Sequence, residues 1–181
     1  MKMNFSMWVN CLALIGLMVA RSEAKPPVWS AQPDREITIS MVPAKMAYDT
    51  TLLRVRPGER IKLNLKNPDD LEHNLVLIKN DPNDPRGERF AAQCIELGPR
   101  GPKLAWTPDS QRVLARSGMI GPKKESEMFF EAPKEPGDYL YLCTFPGHSN
   151  LMRGILKVGS IDPIFSELSY KVYAGEFRKI P

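Results

Sequence analysis

Arg60-Ile61-Lys62-Leu63-Asn64-Leu65-Lys66 (RIKLNLK) alternates cationic or amide side chains with aliphatic ones without a break. A period of two places Ile61, Leu63 and Leu65 on one face and Lys62, Asn64 and Lys66 on the other, the signature of a half-buried strand. Pro57-Gly58 closes the stretch upstream and Asn67-Pro68-Asp69-Asp70 downstream, both turn sequences. The same pattern recurs outward in both directions. Arg35 to Met41 sets Ile37, Ile39 and Met41 on one face, and Thr51 to Val55 reads as a further strand. His73 to Ile78 is an apolar strand fit for a core, and Glu125 to Glu131, Tyr139 to Cys143 and Gly154 to Val158 follow. Short strands separated by turn signals predict an all-β, Greek-key sandwich or barrel of about eight strands.

One stretch breaks this rhythm. Asn80 to Asp109 is rich in Pro and Gly and too long for a plain loop in a compact domain. Within it Phe90, Ala91, Cys94 and Leu97 recur at helical spacing, which predicts a short helix over 87–97 in an inserted loop.

The chain's 181 residues suffice for one domain with a real core. Hydrophobic residues make up 43% and charged ones 25%, which excludes wholesale disorder and a multi-span membrane architecture. The formal charge of +4 is spread without a Lys/Arg block, so nucleic acid is not an expected partner. At the N-terminus, Lys2 precedes the apolar run Met7 to Ala20, and the small residues Ser22 and Ala24 follow. That order predicts a secretory signal over 1–24, cleaved after Ala24, and the run is short for a membrane span. Export to the periplasm or another extracytoplasmic space is therefore expected, with no span in the mature form. Residues 25–158 form the expected domain. Residues 159–181, with Phe165, Tyr170, Tyr173 and Phe177, form an extension too apolar for a disordered tail.

Cleavage removes Cys11 and leaves Cys94 and Cys143, so either these two pair or at least one has another task. Cys143-Thr144-Phe145-Pro146-Gly147-His148-Ser149-Asn150-Leu151-Met152 presents thiolate, imidazole and thioether as C-x4-H-x3-M between two predicted strands. The turn at Pro146-Gly147 lets the chain double back so that Cys143 and His148 face one centre. The only other histidine, His73, opens a core strand at the same end of a sandwich. Two imidazoles, one thiolate and a distant Met152 sulfur make the donor set of a blue-copper electron-transfer site. Taken singly, each residue has an ordinary structural reading: a small buried thiol, a hydrogen-bonded histidine, a core methionine. Their coincidence on a fitting fold is what points to one copper ion bound by His73, Cys143, His148 and Met152.

Cys143 to Gly154 (CTFPGHSNLMRG) resembles the copper-binding loop of azurin, a member of the cupredoxin (plastocyanin/azurin, type 1 blue copper) family, nearly residue for residue. Upstream, Asp109 to Phe130 is similar to azurin's Arg-Val-Ile-Ala strand, Ile-Gly turn and Ser-x-x-Phe strand. Glu72-His73-Asn74 falls where azurin has its first ligand histidine. Lys45-Met46-Ala47-Tyr48 resembles the methionine and aromatic that flank azurin's site. The resemblance implies a cupredoxin fold and the four ligands already named. It further implies that Asn74 ties the two ligand loops together, with Glu72, Thr144 and Phe145 around the ligands, and that backbone N–H groups after His73 and near Phe145 donate to the Cys143 sulfur. Glu72 stands in place of azurin's glycine, whose carbonyl is a distant fifth ligand, so a four-ligand plastocyanin-like or auracyanin-like site is the alternative. A Cys94–Cys143 disulfide would destroy such a site, which leaves Cys94 expected as a buried free thiol.

Four protein ligands leave no open position for a substrate, so no catalytic residues and no enzymatic activity are expected. The implied act is one-electron outer-sphere transfer, with His148 as the family's solvent-edge ligand. Met46, Phe145, Pro146 and Leu151 would form an apolar docking patch for redox protein partners, such as cytochromes or a copper/haem oxidoreductase. The protein itself is expected as a monomer. The rival class is a copper buffer or delivery protein. Such carriers favour Met-x-x-Met or His-rich tracts, and none is present.

Overall fold

The computed structural model describes residues 26–160. Nine strands, one α-helix and three single-turn 3-10 helices make up this span. In chain order the strands are β1 (Arg35–Val42), β2 (Ala47–Tyr48), β3 (Leu52–Val55), β4 (Arg60–Asn67) and β5 (Val76–Ile78), then β6 (Val113–Arg116), β7 (Lys124–Glu131), β8 (Gly137–Leu142) and β9 (Arg153–Val158). The helix α1 (Glu88–Glu96) lies between β5 and β6. The expected signal over 1–24 and the extension beyond Ser160 lie outside the described residues.

Two mixed sheets face each other, ordered β2-β1-β4-β7 and β3-β9-β8-β5-β6. In the first, β1 runs parallel to β4, with Arg35 opposite Ile61 and Ile39 opposite Leu65, while β4 is antiparallel to β7. In the second, β3 runs parallel to β9, and β9, β8, β5 and β6 alternate in direction. Parallel neighbours within a sheet require crossovers between the two layers, which is why consecutive strands such as β3 and β4 sit in different sheets.

The period-two reading decides which side chains go inside. Ile61, Leu63 and Leu65 of β4 are buried, and so are Ile39 and Met41 of β1; they meet Leu75, Leu77, Tyr141, Leu156 and Val158 from the opposite sheet. A second, smaller core lies on the outer face of that sheet. There Phe90, Ala91 and Cys94 of α1 cover Val76, Ile78, Leu140 and Leu142. Strand β5 is therefore buried on both faces, which explains its continuous apolar run. Cys94 is fully buried and free, and its apolar surroundings push the thiol up to about 12. The inserted segment is thus a lid over the sheet with its own hydrophobic underside.

Three local outcomes differ from expectation. The regular strand after the Asn67–Asp70 turn begins at Val76, and His73 makes only an isolated bridge with Ile120. Strand β6 falls at the strand implied by the likeness over Asp109 to Phe130, and with β2 it brings the number of strands to nine against about eight expected. Two-residue β2 pairs only with β1, through Met41 and Tyr48 and through Val42 and Ala47. Among the described residues, no helix is long and apolar enough to cross a membrane.

Candidate metal centre

The loop from Cys143 to Met152 joins β8 to β9 and is short enough for its ends to pair: Cys143 N–H donates to the Met152 carbonyl at 2.9 Å. Phe145-Pro146-Gly147-His148 turns tightly, with His148 N–H on the Phe145 carbonyl at 3.0 Å and Gly147 at φ 87°. Proline at the second position and a positive-φ glycine at the third are the residues that this turn geometry demands. One helical turn follows, closed by Met152 N–H on the His148 carbonyl at 2.9 Å. Folded this way, Cys143, His148 and Met152 are all buried, Met152 completely and in the same cluster as Cys143.

His73 reaches this loop from the other side of the sandwich end. Its backbone bonds to Ile120 in both directions, at 3.2 and 2.7 Å, and the Asn67 amide braces the same region by donating to the Leu71, Ile120 and Gly121 carbonyls. The ligating atoms of His73, Cys143 and His148 then lie within 4.8 Å of one another, all buried. His148 Nδ1 is 3.2 Å from His73 Nδ1 and 3.6 Å from Cys143 Sγ. Two imidazole nitrogens and a sulfur aimed at one another leave lone pairs crowded into a small volume. A cation that accepts both nitrogen and soft sulfur donors relieves that crowding. The donor set therefore fits copper.

Electrostatics agree with a metal-binding role. Burial, reinforced by His73, holds His148 below the usual imidazole range, so it stays neutral with its lone pair free. Burial pushes the Cys143 thiol up to about 11, opposed by the backbone N–H groups of Asn74 and Phe145. Those two donors are ready to receive a thiolate once a cation replaces the thiol proton.

Around these groups the loops are tied by Asn74. Its Nδ2 donates to Thr144 Oγ1 at 2.7 Å and to the Ala105 carbonyl at 2.8 Å, and its Oδ1 accepts from Thr144 N–H at 2.8 Å. Thr144 is 2% exposed. The Glu72 side chain, by contrast, is exposed. Phe145 is half-buried with its ring centroid 4.8 Å from that of His148, and Pro146 is also half-buried. Leu151 is 65% exposed and Met46 36%. The loop carrying Met46 is held beside His73 through Ala44, whose N–H donates to Asp69 at 3.2 Å.

Several residues at the site carry no sequence signal that marked them. Asp69 reads in sequence as part of a turn, yet its Oδ2 is 3.0 Å from His73 Nε2. Burial alone would raise this carboxyl, but hydrogen bonds from His73 and from the Asp70 and Ala44 N–H groups outweigh it and leave Asp69 below the usual carboxylate range. The spacing of four residues to His73 is the only hint in the sequence. Tyr48, by contrast, is marked by the azurin-like stretch Lys45 to Tyr48, and it donates its hydroxyl to the Asn74 carbonyl at 2.6 Å. From the inserted segment, Trp106 packs edge-on against Phe145 with centroids 6.1 Å apart. Ala105 and Trp106 both take positive φ, 50° and 53°, at a cost of about 1–3 kcal/mol each. The Trp106 ring lies directly over Gly101, where a Cβ would come within 2.2 Å of it.

Comparison with known proteins bears on the same span. The sequence pattern of copper binding proteins of the plastocyanin/azurin family matches residues 35–159. Auracyanin-A of Chloroflexus aurantiacus is 35% identical over 117 residues, covering 63% of this chain and 68% of that protein. Azurin of Pseudomonas aeruginosa is 43% identical over 118 residues, covering 62% of this chain and 77% of its own. Among solved structures, that of auracyanin A, described as a "blue" copper protein of a green thermophilic photosynthetic bacterium, superposes with a TM-score of 0.62 at 30% identity. It covers 69% of this chain and 98% of its own.

Proposed function

This chain belongs to the plastocyanin/azurin family of copper binding proteins, and we propose that it is an exported single-electron carrier whose ligands are His73, Cys143, His148 and Met152. The observation that supports this most is the buried convergence of the His73, Cys143 and His148 donor atoms within 4.8 Å, with Met152 buried beside them. A bound type 1 copper ion supplies a Cu(I)/Cu(II) couple at that point.

The chain's own residues make such a couple useful. The Phe145–His148 turn and the Asn74–Thr144 bonds hold the two ligand loops in fixed relation, so little has to move when the charge of the site changes. Asn74 and Phe145 N–H groups steady the Cys143 sulfur. No substrate position is left beside four protein ligands, so the protein carries electrons and is not an enzyme. His148 is 5% exposed whereas His73 is wholly buried, which makes the His148 edge the port for electrons. Phe145 packs against its ring, and with Pro146, Leu151 and Met46 it makes the apolar docking patch of this proposal. A small patch of this kind favours brief encounters with redox proteins such as cytochromes or a copper/haem oxidoreductase. Export rests on the signal-like pattern of residues 1–24, with 25–158 as the cupredoxin domain and 159–181 as an extension to it.

The test is repeated cycling of the copper-loaded protein with a one-electron reductant and oxidant. The carrier reading expects the visible colour to bleach and return with copper retained throughout. Loss of copper at each reduction would mark a copper store or delivery protein instead.

A further inference from the structure

Asp69 is a carboxylate with 5% of its surface exposed, in contact with an imidazole that the proposed site uses as a ligand. Its Oδ2 faces His73 Nε2 at 3.0 Å, while Oδ1 accepts from Ala44 N–H at 3.2 Å and from Asp70 N–H at 2.8 Å. Asn67 Oδ1 fixes the backbone by accepting from Asp69 N–H at 3.1 Å. Among the described residues no lysine or arginine comes within ion-pair distance of it; nearby Lys123 pairs with Asp70 at 2.9 Å. A nearly buried anion has thus been placed with His73 as its one ionisable partner at hydrogen-bond distance among the described residues. Such a group is costly to bury unless a positive charge lies on the far side of its hydrogen bond.

We propose that Asp69 is a positioning residue that fixes His73 as the Nε2–H tautomer and biases the copper site toward its oxidised state. The hydrogen bond consumes the Nε2 proton and leaves Nδ1, the atom facing His148, as the ring's only lone pair. The charge argument follows from the ligand set. With neutral imidazoles and thioether and one Cys143 thiolate, the oxidised site carries a net +1 and the reduced site none. The Asp69 carboxylate, one imidazole away, attracts the first and gains nothing from the second. It therefore stabilises Cu(II) relative to Cu(I) and lowers the reduction potential.

This inference rests on the copper reading of the site, and the experiment separates the two. Wild type and Asp69→Asn are loaded with copper and titrated to equilibrium by visible absorbance. In parallel, long-range proton–nitrogen NMR of the copper-free wild type identifies the His73 tautomer. Asn removes the charge and keeps one of the two oxygen acceptors that face His73 on one side and the Ala44 and Asp70 N–H groups on the other. The visible band should keep its shape while the equilibrium constant for reduction rises about tenfold, equivalent to about 59 mV upward. His73 should be protonated on Nε2. An unchanged or lowered midpoint in a blue variant, or a His73 protonated on Nδ1, overturns the proposal alone. A wild type that takes up copper without a blue band overturns both this and the copper reading. Should the Asn variant fail to fold, Asp69→Ser removes the charge with a smaller polar side chain and is held to the same rise in midpoint.

Discussion

Asn74 sits next to His73 in sequence, yet its side chain bonds mainly to chain segments far from it. It links the strand side of the site to Thr144, which follows Cys143, and to Ala105 of the inserted segment. Being fully buried, it leaves at least one unpaired polar group behind when truncated. Asn74→Ala should therefore lower unfolding free energy by about 1–3 kcal/mol, measurable by urea denaturation of the copper-free protein. A variant as stable as the wild type would mean that these bonds are not the tie between the loops. The adjacent histidine was legible because its chemistry is rare: two histidines in the whole chain, one in a C-x4-H-x3-M loop, leave few ways to build a donor set. Asp69 was not legible. An aspartate after Asn-Pro is an ordinary turn residue, and only the irregular path of Asp70 to Leu75 brings its carboxylate back against His73.

The inserted helix shows how one segment stabilises what it covers. Asp84 precedes α1 and accepts from the Arg89 and Phe90 N–H groups at 3.1 and 3.2 Å, while Arg112 at the foot of β6 donates to it at 2.6 Å. Arg112 also lies 5.7 Å above the Phe90 ring. Burial alone would raise the Asp84 carboxyl, but the Arg112 bond and the two backbone donors overcome it and leave it below the usual range. The folded state then binds this proton less readily than the unfolded chain. The resulting stability is fully present above the ordinary carboxyl pKa of about 4 and disappears as pH falls through the lower folded value. Asp84→Asn should be less stable than wild type at neutral pH, and the gap should narrow below about pH 4 in urea midpoints measured across that range. A gap constant with pH would contradict the ion-pair assignment. Helix α1 itself was readable from Phe90, Ala91, Cys94 and Leu97, because its buried face repeats at helical spacing. Strands β2 and β6 lack such a pattern: one has two residues and the other is half-buried up to the exposed Arg116, so neither alternates, and β6 was legible only through the likeness of Asp109 to Phe130 to azurin.

Both layers of the sandwich contribute to the site, and neither contains it alone. His73 lies on the connection from β4 of the first sheet to β5 of the second and bridges Ile120 on the connection from β6 back to β7, while Cys143 leaves β8 and Met152 enters β9 of the second. The core between the sheets is mostly aliphatic and aromatic side chains such as Ile39, Ile61, Leu63, Leu65, Phe130, Tyr141 and Leu156, which need no metal to pack. The copper-free protein should accordingly stay folded, and copper should raise its Tm rather than create a transition. At a hundredfold excess over Kd, the added stability is about 3 kcal/mol. Calorimetry showing no cooperative unfolding without copper would contradict a preformed scaffold. Most of this architecture could be read from the alternation in β1, β4 and β9, since one buried face fixes each strand's orientation. The pairing of β1 with β4 in parallel could not, because alternation is the same for either direction.

Visible and EPR spectra of the copper-loaded wild type and Cys143→Ser variant probe the convergence of donors most directly. A thiolate ligand from Cys143 requires an intense blue band and a narrow copper hyperfine splitting, because the unpaired electron is shared with sulfur; both should vanish in the serine variant. A pale wild type with broad splitting, or a serine variant that stays blue, would contradict the site.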